Sequence, residues 1–208
     1  MKQATRNTLI TAIALSSITA VGITALAAAT KYTVPTDDKF AAQNVFTIES
    51  ETAIENFTGR TNKVSGSVDF DGSAKTGSAT ITVDGASIDT GVALRNEHMR
   101  SGDWFNFDKN PEVKFVTTSV KNTSGDKYSI TGNLTLNGIT KRVTSSATVR
   151  STASNEVTKS MGFSGNVVGI TAKFKVKITD FGAKHPAIGA GRVAETLDAT
   201  LRIVASDK

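Results

Sequence analysis

The sequence of 208 residues contains no cysteine and few metal-binding or bulky aromatic side chains: two histidines, one tryptophan and two tyrosines. Without cysteine, the chain cannot form a disulfide, a thiolate metal site, a cysteine nucleophile or a lipidated cysteine. His98 and His185 stand far apart in the sequence, and neither has partners at metal-ligand spacing. We therefore expect neither a metal site nor a catalytic cofactor.

Motifs of the common catalytic sites are also missing from the sequence. It contains no nucleophile elbow, no ordered serine triad and no glycine-rich phosphate loop. Glu97 and His98 could act as an acid–base pair, but neighbours on a helix point about 100° apart and do not converge on one substrate atom. We therefore predict no catalytic residues and a protein that is not an enzyme.

The positive charge is too small to indicate a nucleic-acid partner. The formal net charge is +5, and removal of Lys2 and Arg6 with an export signal would leave +3. No basic stripe with interleaved aromatics is present. The lysines of the segment KFKVK at 173–177 alternate with apolar residues, which is more typical of a solvated strand face than of a binding patch.

The N-terminus resembles an export signal. Lys2 and Arg6 precede an uncharged run from Thr8 to Leu26, and Ala25-Leu26-Ala27 or Ala27-Ala28-Ala29 supplies the small-residue pattern of a cleavage site. This pattern predicts a signal peptide over residues 1–29 and a mature domain over 30–208 that is periplasmic or secreted. An uncleaved anchor is the alternative, although the many Thr and Ser residues of the run make a weak membrane span. After cleavage we expect no stable membrane span.

Most of the mature region alternates apolar and polar residues at the period of a β-strand. Asn137-Gly138 is a hairpin signal between two such runs. About eight strands are predicted, which favours a barrel or a sandwich. The clearest runs are Lys63–Phe70, Thr76–Asp84, Val113–Val120, Lys127–Leu136, Lys141–Arg150, Met161–Ile170, Lys173–Thr179 and Arg192–Ala205.

One helical crossover interrupts the strands. From Gly91 to Arg100 the composition changes to helix-forming residues, and Pro111 ends the irregular part before the next strand. A barrel of roughly eight strands of ordinary length has an interior about 25 Å deep that holds side chains or one slender ligand. An outer-membrane barrel is disfavoured, because the chain has few girdle aromatics and its last strand ends without one.

Several segments together resemble the YceI-like proteins, which are exported lipocalin-like barrels known for binding polyisoprenoid lipids. The similar segments are SIDTG at 87–91, RNEHMR at 95–100, DWF at 103–105, PEVKF at 111–115, YSITGNLTLNGITKRV at 128–143, GFS at 162–164 and DFG at 180–182. Two departures stand out. Only Tyr32 remains of the usual first-strand motif, and Arg142 replaces the usual hairpin proline.

The resemblance implies an eight-stranded antiparallel lipocalin-like barrel that binds a long-chain apolar lipid of the polyisoprenoid type in the cell envelope, without catalysis. The alternative is an envelope stress or protein-interaction module whose barrel is filled by its own side chains and binds no lipid. The sequence leaves open whether the protein forms a homodimer. The expected cavity-lining residues are Phe46, Ile48, Val64, Val68, Ile81, Phe115, Ile130, Leu134, Phe163, Leu197 and Leu201. The expected mouth or head-group residues are Arg95, His98, Arg100, Trp104 and Phe105. Gly132 is expected among the large inward residues, so Gly132→Phe should fill space and lower lipid capacity if the cavity is open at that level.

Overall fold

The computed structural model describes residues 29–208. The predicted signal peptide lies outside the described residues, apart from Ala29. Antiparallel strands make up most of the described chain, as the alternation predicts. They are β1 Thr30–Val34, β2 Val45–Glu51, β3 Asn56–Thr61, β4 Val64–Asp71, β5 Thr76–Asp84, β6 Glu112–Ser124, β7 Lys127–Leu136, β8 Ile139–Thr152, β9 Val167–Lys177 and β10 Thr196–Ser206.

Eight of these strands close into a ring in the order β1-β4-β5-β6-β7-β8-β9-β10, and β10 returns to β1. The closing contact pairs Thr33 with Ser206. Farther along β10, Asp198–Arg202 pair instead with β2, which in turn pairs with β3. The predicted eight-stranded antiparallel barrel is confirmed, with β2 and β3 as a two-stranded extension of its wall.

The helices of the described region are short. The helix α1, Ala93–Arg100, forms the predicted crossover between β5 and β6. The helix α2, Glu156–Ser160, lies between β8 and β9, and α3, Pro186–Gly189, lies in the connection from β9 to β10. None of the helices within residues 29–208 has the length and apolar character needed to cross a membrane.

One predicted strand pair is wrong. Met161–Ile170 and Lys173–Thr179 were expected to form two strands, but Val167–Lys177 is one continuous strand. Residues 161–166 form a turn and irregular backbone after α2. Asn155 caps this helix and accepts hydrogen bonds from the backbone N–H groups of its first turn. The strand β3, Asn56–Thr61, was missed, since its polar sequence shows little alternation.

The inward side chains of the strands form one apolar core, and aromatic residues from the crossover cover one end of it. Met99 on α1 points into this core, and Trp104, Phe105 and Phe107 are buried just after the helix. Helix formation alone cannot hold so short a segment, so its burial against the barrel must stabilise it. The crossover therefore forms one wall of the barrel's open end.

Candidate functional site

Three cavities lie in series inside the barrel. The first, which we call the mouth cavity, has a volume of about 220 Å³ and lies beneath α1. It shares Ile48, Phe105 and Leu197 with a middle cavity of about 30 Å³. The middle cavity shares Phe46 and Leu134 with an inner cavity of about 70 Å³. The same residues therefore border neighbouring cavities.

The two deeper cavities have more apolar walls than the mouth cavity. The inner cavity is lined almost entirely by aliphatic and aromatic side chains, and its polar groups are the hydroxyls of Thr117 and Ser145. The Ser145 hydroxyl lies 3.4 Å from the carbonyl oxygen of Ile130, to which it donates a hydrogen bond. The Thr117 hydroxyl accepts a hydrogen bond from the N–H of Ala79. An apolar space whose two hydroxyls are both bonded to the protein favours a hydrocarbon occupant over water.

Charged groups are confined to the mouth cavity. Glu55, in the turn between β2 and β3, accepts a hydrogen bond from Arg95 Nη2 on α1 at 3.1 Å. Its other oxygen lies 3.5 Å from Arg192 Nε in the β9–β10 connection. The Arg95 guanidinium also lies 4.3 Å from the ring centroid of Phe57. One carboxylate thus connects the three segments that surround the mouth.

The entry into α1 is held by Asp89. This carboxylate accepts hydrogen bonds from the side chain of Asn96 at 2.7 Å and from the N–H of Gly91 at 2.8 Å. Those bonds stabilise the charged form, the Asn96 bond most, and lower the pKa of Asp89 below its usual value. Asn96 also accepts hydrogen bonds from the N–H and hydroxyl of Thr90. The start of the helix is therefore fixed by a local polar network.

Three aromatic rings also line the mouth cavity: Trp104, His98 and His185. The His185 ring stacks on Trp104, with ring centroids 4.7 Å apart, and on His98, with centroids 6.4 Å apart. His185 Nδ1 accepts a hydrogen bond from the N–H of Ala187, which orients the ring. The two histidines, distant in sequence, therefore meet at the mouth.

Eight of the predicted lining residues border these cavities: Phe46, Ile48, Ile81, Phe115, Ile130, Leu134, Leu197 and Leu201. Val64 and Val68 are buried elsewhere in the barrel core. Phe163 does not join this core. Its ring stacks on Phe40, with centroids 4.6 Å apart, in a small cluster near the first residue of β9, away from the mouth.

The predicted mouth residues are brought together only in part. Arg95, His98, Trp104 and Phe105 line the mouth cavity. Arg100 instead points toward Asp108, with 3.9 Å between Nε and Oδ1. Helix geometry explains this direction of the Arg100 side chain, because a residue five positions after Arg95 lies on a different face of the helix.

The mouth residues that were missed include four charged or aromatic ones: Glu55, Phe57, His185 and Arg192. Phe57 lies on β3, which was itself missed, and the other three belong to turns and connections where no periodicity indicates direction. The sequence offered a weak signal for them: ionisable residues flank short apolar segments near Glu55 and near Arg192.

Gly132 does not face empty space. A Cβ atom there would lie 2.3 Å from Phe115 Cζ and 2.5 Å from the carbonyl oxygen of Val116. The ring of Phe115 fills the space that the glycine leaves, and Phe115 itself borders the inner cavity. The cavity is therefore not open at the level of Gly132, which was the condition of the prediction for Gly132→Phe, because that side chain would first have to displace Phe115.

A closed antiparallel barrel with an apolar interior and one lined mouth defines the chain as a lipocalin-like β-barrel. The model of the YceI-like domain matches residues 32–205. The chain belongs to this family, which confirms the resemblance of its motifs.

Relatives with similar sequences come from several bacteria. The chain is 39% identical over 142 residues to a UPF0312 protein of Pseudomonas paraeruginosa, a match that covers 67% of this chain and 70% of the relative. It is 41% identical over 104 residues to a UPF0312 protein of Photorhabdus laumondii, which covers 50% of each. The match thus spans half the length of the Photorhabdus protein.

Solved structures share the fold. BcnA of Burkholderia cenocepacia is 26% identical with a TM-score of 0.68, and the match covers 80% of this chain and 98% of BcnA. A polyisoprenoid binding domain from Saccharophagus degradans is 13% identical with a TM-score of 0.59, covering 86% of this chain and 98% of that domain. The latter likeness is one of fold alone.

Proposed function

We propose that this barrel binds one long-chain apolar lipid, of the polyisoprenoid type, and carries or sequesters it in the cell envelope without catalysis. The observation that carries the proposal is the series of three cavities, which leads from a polar mouth into an apolar interior. A slender chain with a polar end matches this change from the mouth to the inner cavity. A polyisoprenoid binding domain with the same fold supports the choice of ligand class.

Desolvation of the chain would supply most of the affinity. Each buried CH₂ group contributes about 0.8 kcal/mol, so about twenty carbons give ample gross affinity even after the costs of ordering. Pockets for small ligands usually have about 300–1,000 Å³. The mouth cavity, at about 220 Å³, is smaller than this, so a long chain must also enter the inner spaces.

Entry of the chain requires side chains to move. Phe46 and Phe174 border both the middle and the inner cavity, and their ring centroids lie 6.5 Å apart. Phe174 is only partly buried. Rotation of these two rings would join the inner spaces without any change in strand pairing.

The export signal is part of this proposal. A carrier of envelope lipids must leave the cytoplasm, and the segment before residue 30 has the charge and small-residue pattern for it. We expect the mature protein to begin at Ala28 or Thr30. N-terminal sequencing of the exported protein tests this, and an intact Met1 would contradict it.

A second function has one observation in its favour. Ile54, Val92 and Leu94 are 95%, 46% and 60% exposed in the segments beside the mouth. Exposed apolar groups of this kind can also indicate contact with a protein partner. In that case the small inner cavities would be packing defects of a barrel filled by its own side chains.

Binding of linear isoprenols of increasing length to lipid-free protein separates the two functions. A chain that lies along the barrel should bind more tightly with each added five-carbon unit, by at most about 4 kcal/mol per unit. The gain should stop once the inner cavity is full. Affinity that is absent, or independent of chain length, would favour the protein-interaction module.

A further inference from the structure

Among the side chains that line the mouth cavity, Glu55 is the only acidic one, and Arg95 and Arg192 are the two that are always cationic. Both arginines lie within 4 Å of its carboxylate, one on each oxygen. The two guanidinium groups therefore face one negative charge at the entrance to an apolar interior.

The arginine on α1 is held in place more firmly than an ordinary surface cation. Its side chain is 26% exposed, and it lies over the Phe57 ring as well as against Glu55. An arginine that is stacked on an aromatic ring and partly desolvated keeps its orientation when its anion is exchanged. Arg192, at 72% exposed, is free to follow the new anion.

The turn that carries Glu55 does not depend on its carboxylate. The Thr52 hydroxyl accepts a hydrogen bond from the Glu55 N–H at 3.0 Å and donates one to the Glu55 carbonyl oxygen at 2.9 Å. The Asn56 side chain accepts a further bond from the Thr52 N–H. The backbone is thus fixed, while the carboxylate is held only by the two ion pairs.

We propose that the Glu55 carboxylate occupies the place of an anionic head group, and that a phosphate or carboxylate group at the end of the lipid replaces it between Arg95 and Arg192. This rests on the proposed function, since the chain of the lipid lies in the cavities below. Planar guanidinium groups bind phosphate and carboxylate oxygens in the same geometry as they bind Glu55. Glu55 therefore competes with the head group and lowers the affinity for anionic lipids relative to neutral ones.

The test measures three probes on lipid-free protein: a linear isoprenoid of about twenty carbons as its monophosphate, the alcohol of the same chain, and inorganic phosphate. Glu55→Gln removes the competing charge and should raise affinity for the monophosphate about 5-fold, the size expected for a partly exposed ion pair. Affinity for the alcohol, which carries no charge to compete with Glu55, should change much less. Arg95→Gln combined with Arg192→Gln should weaken the monophosphate roughly 10-fold and the alcohol much less.

Glu195→Gln is the matched control. Glu195 lies in the same connection as Arg192, but its carboxylate contacts Lys177 and Thr179 and does not line the mouth cavity. This variant should leave all three affinities unchanged. An equal change for Glu55→Gln and Glu195→Gln would show a general charge effect and overturn the proposal.

The outcomes separate this inference from the lipid-binding function. Equal effects of Glu55→Gln on the monophosphate and the alcohol would overturn the inference and leave lipid binding intact. If neither lipid binds, the proposed function fails. In that case, tighter binding of inorganic phosphate to Glu55→Gln than to the native protein would still support an anion site between Arg95 and Arg192, and no difference would overturn it. Inorganic phosphate could bind as tightly as the monophosphate and respond to the variants in the same way. This result would assign the site to free phosphate and overturn the proposal that it binds a lipid head group.

Discussion

Filling the inner cavity should separate stability from lipid binding. Ala172 on β9 is 8% exposed and borders this cavity, which has about 70 Å³. Leucine at this position adds three carbons, and at about 24 cal/mol per Å³ the filled cavity would contribute at most roughly 1.7 kcal/mol. Overpacking costs of about 1–3 kcal/mol offset this gain. We expect the free energy of unfolding of Ala172→Leu to change by less than about 2 kcal/mol.

The same substitution should also weaken lipid binding, while the outward-facing control should not. Three carbons of ligand that lose their place cost up to about 2.4 kcal/mol, which is roughly a 50-fold loss of affinity. Denaturant unfolding and titration with a long isoprenol measure the two effects. Thr171→Leu, which places the same side chain on the outer face of β9, is the control. Unchanged lipid affinity in a folded Ala172→Leu protein would refute a ligand that reaches the inner cavity.

Three further predictions concern the barrel and its mouth. Gly132→Ala should lower the free energy of unfolding by about 1–3 kcal/mol, because its Cβ atom meets the ring of Phe115, and Phe115→Leu should restore part of the loss. The lowered pKa of Asp89 means that its contribution to stability is present above about pH 4 and is lost as the pH falls through that pKa. Asn96→Ala should raise this pKa in an NMR titration, and an unchanged pKa would contradict the network at the start of α1. Trp104, the single tryptophan, borders the mouth cavity, so its fluorescence should change on lipid binding, and a signal that stays constant at saturation would place the ligand elsewhere.

The barrel could be predicted because period-two alternation is a local property of a strand with one buried face. Lys127–Leu136 and the hairpin at Asn137-Gly138 were predicted with correct bounds for this reason. The helix after Gly91 was also predicted, because its composition differs sharply from that of its neighbours.

The mouth could be predicted only in part, because it is assembled from segments that are distant in sequence. Arg95 was predicted from its place on the crossover, but its partner Glu55 lies 40 positions earlier in an irregular turn. His185 meets His98 only because the β9–β10 connection folds back over the barrel end. No local pattern encodes such meetings, and Arg192 was missed for the same reason.

The size of the interior could not be predicted either. Alternation gives the direction of Phe46 and Phe115 but not how their rings pack. Phe115 rests against Gly132, and Phe46 separates the middle cavity from the inner one. The interior that was expected to hold one slender ligand is therefore divided into a row of small cavities. Whether these cavities join depends on the rotation of a few aromatic rings.

The most direct test of lipid binding is the mass of what the protein carries. The exported protein would be purified without detergent, extracted with organic solvent and analysed by mass spectrometry, with Ala172→Leu purified in parallel. We expect about one long-chain lipid per barrel in the native protein and much less in the variant. Native protein that folds normally but yields no stoichiometric lipid, even from envelope extracts rich in isoprenoids, would contradict the account.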